Sequence, residues 1–179
     1  MKIEMYTPEY KQAMEDICIA TASERARTQK RHHDFSLLMY CDEYLDREKC
    51  LMLMADDKPV GYVLCAEDYS AWKQNMAPYA KQIEALGDPY PKRVHDGMAM
   101  YGAYASEYPA HMHIDILEQY TGGGNGTALF HALIEMLKKD GVKGLMLGVD
   151  LNNTRAVSFY KKMGFTPLND MGLMGLKLQ

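Results

Sequence analysis

The spacing of apolar side chains changes period several times along the chain, and each change predicts an element. Lys2 to Tyr6 alternates as a strand does, and Thr7-Pro8-Glu9 then supplies an N-cap, a first-turn proline and an acid for a helix. Ala13, Met14, Ile17 and Cys18 form the apolar stripe of that helix. The charged run Glu24 to Asp34 reads as a solvated helix end and loop, with a basic, ligand-facing patch as its alternative. Phe35 to Tyr44 predicts a second helix with Leu37, Leu38 and Cys41 inward. Cys50 to Met54 and Val60 to Ala66 predict an antiparallel hairpin joined by Asp56-Asp57-Lys58-Pro59.

The stretch from 111 to 165 is the most sharply punctuated. His111 to Leu117 predicts a strand, and Tyr120 to Gly126 then places four glycines within seven residues. A helix follows at once, with Leu129, Ala132, Leu133, Met136 and Leu137 on its apolar face and Lys138 and Lys139 where the dipole favours cations. Asp140-Gly141 ends it. Lys143 to Asp150 predicts a buried strand, and Asn152-Asn153 offers N-caps to a helix whose Ala156, Phe159, Tyr160 and Met163 share a face. Gly164 stops that helix and Phe165 clasps it. Phe165 to Leu168 and Leu173 to Leu178 predict two closing strands around Asn169-Asp170.

A glycine loop that opens a helix is a site for anions, because the first turn has backbone donors without partners at the positive end of the macrodipole. Phosphate is the obvious guest. The Walker design fails, since no Lys-Ser or Lys-Thr follows the glycines. The dinucleotide fingerprint also fails: its third glycine would fall on Thr127 or Leu129, although Asp150 closes the next strand suggestively.

Tyr120-Thr121-Gly122-Gly123-Gly124-Asn125-Gly126, followed by Asn153-x-x-Ala156-x-x-Phe159-Tyr160-x-x-x-Gly164-Phe165, resembles the GNAT superfamily of N-acetyltransferases. Within it, the run Tyr108-Pro109-Ala110-His111-Met112-His113-Ile114-Asp115 resembles a bacterial branch related to the acetyltransferase-like domain of eukaryotic O-GlcNAcases. The resemblance implies an α/β GNAT fold over residues 1–179 as one domain, with a mixed twisted sheet of about seven strands flanked by helices. Residues 69–107 would be a helical insertion between the third and fourth strands, with helix-like Ala71 to Leu86 and a turn at Gly87 to Pro91. It carries Tyr69, Trp72, Tyr79, Tyr90, Tyr101 and Tyr104, which suit either a cover packed on the sheet or a roof over an acceptor pocket.

The implied chemistry is direct acetyl transfer from acetyl-CoA, as co-substrate, to an amine. The resemblance implies cofactor contacts from Leu117, Thr121, Gly122, Gly123, Gly124, Asn125, Gly126, Thr127, Asn153, Ala156, Phe159 and Tyr160, and assigns Tyr160 as proton donor to the leaving thiolate. Asp115 is the first candidate for the base, directly or through a water, with His111 and His113 behind it. The three alternate along one strand and share a face unless a bulge intervenes. His-x-His without a third convincing ligand predicts no metal site. The loop departs from the family pattern: Thr121 stands where Arg or Gln is usual, Gly123 where a basic residue often lies, and Asn125 where an aliphatic one is expected. Each lost cationic contact costs about 1.5–3 kcal/mol. A catalytically silent GNAT-fold binding module is therefore the alternative to the enzyme, and an enzyme using another nucleotide cofactor the third class.

Composition narrows the setting. A length of 179 residues suffices for a core without staples. Cys18, Cys41, Cys50 and Cys65 show no ligand or disulfide spacing and read as packing residues of a reducing, cytoplasmic protein. No signal-like segment opens the chain, and no apolar run approaches the roughly 20 residues that span a bilayer. A formal charge of −4 argues against nucleic acid and anionic membrane as partners. A small-molecule or protein amine is the expected partner; oligomeric state is unreadable.

Overall fold

The structure, a computed structural model, describes residues 1–178. The chain opens with β1 (Lys2–Met5), a short 3-10 turn at Pro8–Tyr10, α1 (Lys11–Thr21), α2 (Glu24–Thr28), α3 (Lys30–Tyr40) and α4 (Asp42–Arg47). The hairpin β2 (Lys49–Ala55) and β3 (Lys58–Ala66) leads into α5 (Tyr69–Asn75), α6 (Ala77–Leu86) and α7 (Tyr90–Gly102). Then come β4 (Ala110–Ile116), α8 (Asn125–Lys139), β5 (Gly144–Gly148), α9 (Thr154–Lys162), β6 (Thr166–Pro167) and β7 (Leu173–Lys177). The seven strands form one sheet in the order β1-β2-β3-β4-β5-β7-β6, antiparallel except for β4 beside β5.

The predicted hairpin forms as a two-residue turn, with Asp56 and Asp57 both at positive φ (47° and 59°), the backbone that matches strand twist. The charged run 24–34 is a correction to the sequence reading: it is helical, not loop. Ser23 caps α2 by accepting from the Ala26 N–H, and Ala26, His32 and Phe35 face inward among the charges. The predicted second helix also divides, at Cys41, into α3 and α4. Leu37 and Leu38 are only half-buried, whereas Phe35, Met39, Cys41 and Tyr44 carry the packing. The predicted helix 71–86 breaks at Met76, because Pro78 opens α6 and cannot continue the ladder of α5. Thr7 makes no side-chain cap.

Two cores sandwich the sheet. On one face Met112, Leu129, Leu133, Leu137, Leu145 and Phe165 pack β4 and β5 against α8. On the other, Met14, Phe35, Trp72, Ile83, Tyr101 and Tyr62 bring α1, α3 and the 69–107 insertion onto β3 and β4. The insertion is tied down by side chains: Tyr69 Oη donates to Met98 O (2.7 Å), Tyr79 Oη to Asp46 Oδ2 (2.6 Å), and Tyr104 Oη to Leu168 O (2.9 Å). Arg31 Nε donates to Leu86 O (2.9 Å), and its Nη2 to Asp88 O (2.9 Å). The four cysteines are free and buried.

One buried group opposes folding. Glu43 on α4 is fully inaccessible, with the Trp72 indole and the Glu48 carboxyl close to its carboxylate. Desolvation, with Glu48 nearby, pushes its pKa up to about 8. Folded Glu43 keeps its proton up to that pH, whereas the unfolded chain releases it near its ordinary value, so stability falls as pH rises between the two. Glu43→Gln should be the more stable protein at pH 9, by on the order of 2 kcal/mol, and lose that advantage below about pH 5. Urea denaturation at the two pH values checks this; equal advantage at both would contradict it.

Candidate active site

The parallel partnership of β4 and β5 is short. Ala110 pairs with Leu145 and His111 with Met146, after which β4 runs on beside β3 alone and β5 beside β7 alone. The strands therefore diverge beyond His111, leaving a gap in the sheet. His113 and Asp115 lie on β4 beside it, and Gly148 ends β5 across it.

Register between β3 and β4 is continuous from Gly61↔Ile116 to Ala66↔His111, so His111, His113 and Asp115 do share a face. Their surroundings differ. Asp115 lines a cavity of about 440 Å³ and accepts a hydrogen bond from Tyr62 Oη at 2.8 Å. Burial raises its pKa above the ordinary carboxylate value, opposed by that hydroxyl and by Thr21 at the end of α1. His113 lines the same cavity between the edges of Tyr40 and Tyr44, at ring-centroid distances of 5.3 and 5.1 Å. Burial lowers its pKa to about 4, so it is neutral at pH 7 and a weak base.

His111 requires a correction. It is fully inaccessible, stacked on Tyr101 at 4.7 Å and set edge-on to Trp72 at 4.5 Å, and it does not line the cavity. Neither ring nitrogen has a hydrogen-bond partner among the described residues, and burial drives its pKa well below the usual value. It belongs to an aromatic box behind the cavity, closed off from solvent.

Tyr160 reaches the gap from α9, its ring edge-on to Phe159 (5.5 Å) and Phe165 (5.8 Å). Burial raises its pKa, and the charges of Asp115 and Tyr101 are close enough to raise it further. Its hydroxyl therefore stays protonated at neutral pH. Tyr101, from α7 of the insertion, brings its own hydroxyl to Gly148 at the far edge of the gap.

The glycine loop lies between β4 and α8. Leu117, just past β4, is held by its N–H on Val60 O (2.9 Å), and Thr121 Oγ1 donates to Glu118 O (2.7 Å). Gly122, Gly123 and Gly124 take φ of 83°, 56° and 85°, and a Cβ added at any of them would meet no atom within 4 Å. The loop thus combines backbone that disfavours side chains with an open outer face. Asn125 is turned inward, Nδ2 donating to Tyr120 O (2.9 Å), which makes it a brace for the loop. Gly126 and Thr127 open α8, where the helix terminus favours an anion, and the ring of Phe159 packs beside Gly126. Asn153 caps α9, its side chain accepting from the Ala156 N–H at 3.0 Å. Asp150 is engaged in the same turn with the backbone and side chain of Asn152, at 2.9 and 3.0 Å, so it closes a turn there. The donor set of loop and helix start fits a pyrophosphate; the loop itself carries no cation.

Tyr62 and Arg93 were not apparent as site residues in the sequence. Tyr62 had a readable signal: a phenol in the middle of a continuously apolar strand needs a partner for its hydroxyl. Arg93 gave none, because only the packing of the insertion brings α7 to the cavity.

A seven-stranded sheet that splits between parallel β4 and β5, with a glycine loop and helix at the split, defines the α/β GNAT fold. The model of the acetyltransferase (GNAT) family matches residues 14–165, and the chain belongs to that family. It is similar to the uncharacterized N-acetyltransferase YobR of Bacillus subtilis (strain 168), with 37% identity over 57 residues, covering 32% of this chain and 23% of that protein. The chain thus matches about a quarter of that relative's length. The crystal structure of SsHAT shares the fold over all of both chains, with a TM-score of 0.84 and 23% identity. A GNAT family acetyltransferase from Brucella melitensis, solved in complex with acetyl-CoA, shares it with a TM-score of 0.59 and 13% identity, over 99% of this chain and 88% of that one. Among the described residues no helix is long and apolar enough to cross a membrane.

Proposed function

We propose that residues 1–179 form one acetyltransferase domain that transfers the acetyl group of acetyl-CoA directly to an amine, working in the cytoplasm. The observation that carries this reading is the meeting of a half-buried carboxylate, a half-buried phenol and an open glycine loop at one gap in the sheet. Backbone N–H groups of Gly122, Gly123, Gly124 and Gly126 hold the pyrophosphate, and Asn153, Ala156 and Phe159 flank the cofactor. Asp115 takes a proton from the acceptor ammonium, directly or through a water. The freed nitrogen forms a bond to the thioester carbon, the carbon–sulfur bond breaks as Tyr160 gives its proton to the departing sulfur, and the new amide nitrogen loses its second proton to solvent. Solvent restores both groups. Tyr62 holds Asp115 in place, and His113 is a neutral wall of the acceptor site.

The run Tyr108 to Asp115 supports placing the chain in the branch that resembles the acetyltransferase-like domain of O-GlcNAcases. One feature favours a second reading, a silent binding module: Thr121 and Gly123 leave the loop without a cationic side chain. The two readings part on Tyr160→Phe. For an enzyme, CoA release in the presence of an amine falls by about ten- to a hundredfold in kcat, while calorimetry shows acetyl-CoA bound as before. Unchanged turnover removes Tyr160 as the donor; absence of CoA release from the parent protein with every amine tried favours the module.

A further inference from the structure

The acceptor cavity is polar at two places, and the reaction uses only one. Asp115 and His113 stand on β4; His32 and Arg93 stand on the cover above, on α3 and α7. Arg93 extends over the ring of Phe35, 5.6 Å from its centroid, and no carboxylate pairs with it among the described residues. Its neighbours are engaged: Lys92 pairs with Asp96, and Arg31 is spent on the carbonyls of Leu86 and Asp88. His32 supplies an independent observation. It is only 8% exposed, it lines the cavity, and its Nδ1 has no hydrogen-bond partner among the described residues. Leaving such a buried polar atom unpaired is costly, and a ligand is a natural partner. The charges that act on His32 are both cationic, those of Arg25 and Arg93.

Between the two polar places lies an aromatic path. Tyr40 sits 5.3 Å from His113 and 5.8 Å from Phe35, so the acceptor's middle meets rings rather than charge. A cavity of about 440 Å³ suits a small molecule with an apolar body.

We propose that the acceptor is a small amino acid-like compound, with its amine at Asp115 and a carboxylate held by the Arg93 guanidinium and the His32 ring N–H. This rests on the acetyltransferase reading of the same gap for its reaction, and on the cavity alone for its anion. A planar guanidinium presents a fork that matches a carboxylate.

The test uses matched probes that differ only at the anion. With acetyl-CoA and the purified protein, CoA release is followed for para-(aminomethyl)benzoic acid, its amide and benzylamine, the first of which carries amine and anion at opposite ends of a ring. The acid is expected to surpass the other two in kcat/KM by about tenfold or more, and Arg93→Ala to collapse that preference toward one, chiefly through KM. Arg93 is exposed, so the variant should fold, and Arg93→Lys is expected to keep part of the preference. In parallel, calorimetry compares para-(acetamidomethyl)benzoic acid with N-benzylacetamide, which needs no turnover. Arg93-dependent binding of the acid without CoA release from any amine would sink the enzyme reading and leave the ligand class standing. Equal handling of acid and amine in both assays, or a preference that survives Arg93→Ala, overturns the proposal.

Discussion

Asp115→Asn is expected to lower kcat/KM for amine acetylation by about a hundredfold to ten-thousandfold, the range of a lost general base. The substitution keeps the shape of the side chain, and Tyr62 can still donate to its oxygen, so the fold should be undisturbed. Its pH behaviour is more diagnostic than its rate. Below its pKa Asp115 holds a proton and can accept none, so the parent's kcat/KM should fall on the acid side. Because burial raises that pKa, the fall should begin at a higher pH than for an ordinary carboxylate. Asn should abolish that limb, whereas His113→Asn should leave it in place, since His113 titrates near 4. A profile unchanged by Asp115→Asn would remove it as the base.

The second large effect is on stability. Trp72→Ala should cost about 3–5 kcal/mol, the usual loss when a buried aromatic is truncated. Trp72 has no exposed surface and lies within ring contact of Tyr44, Tyr69, Tyr101 and His111. For a chain of this size that should appear as a fall in Tm on the order of 10 °C. It should also loosen the cover, measured as faster protease cutting within residues 69–107. A loss under about 1 kcal/mol would mean that the insertion is held elsewhere. Tyr101 differs: it packs on His111 yet delivers its hydroxyl to the edge of the gap, so the insertion both covers the sheet and forms part of the cavity wall.

Sequence and structure agree where local chemistry decides the backbone. The glycines at 122–124 demand positive φ, Asn153 caps the next helix, and the period-two alternation of β4 puts His113 and Asp115 on one face. Where tertiary packing decides, the sequence was silent or misleading. The charged surface of 24–34 hid the inward Ala26 and His32, and the strand pattern that grouped His111 with Asp115 could not show Trp72 and Tyr101 closing over it. The partner of Asp115, Tyr62, lies 53 residues away in sequence, a pairing visible only through strand register.

The central claim, that the glycine loop holds acetyl-CoA without a cationic side chain of its own, is tested most directly by calorimetric titration of acetyl-CoA and of CoA into the purified protein. Micromolar binding of both is the result expected if backbone donors and the helix dipole suffice. No heat of binding up to millimolar cofactor would contradict it.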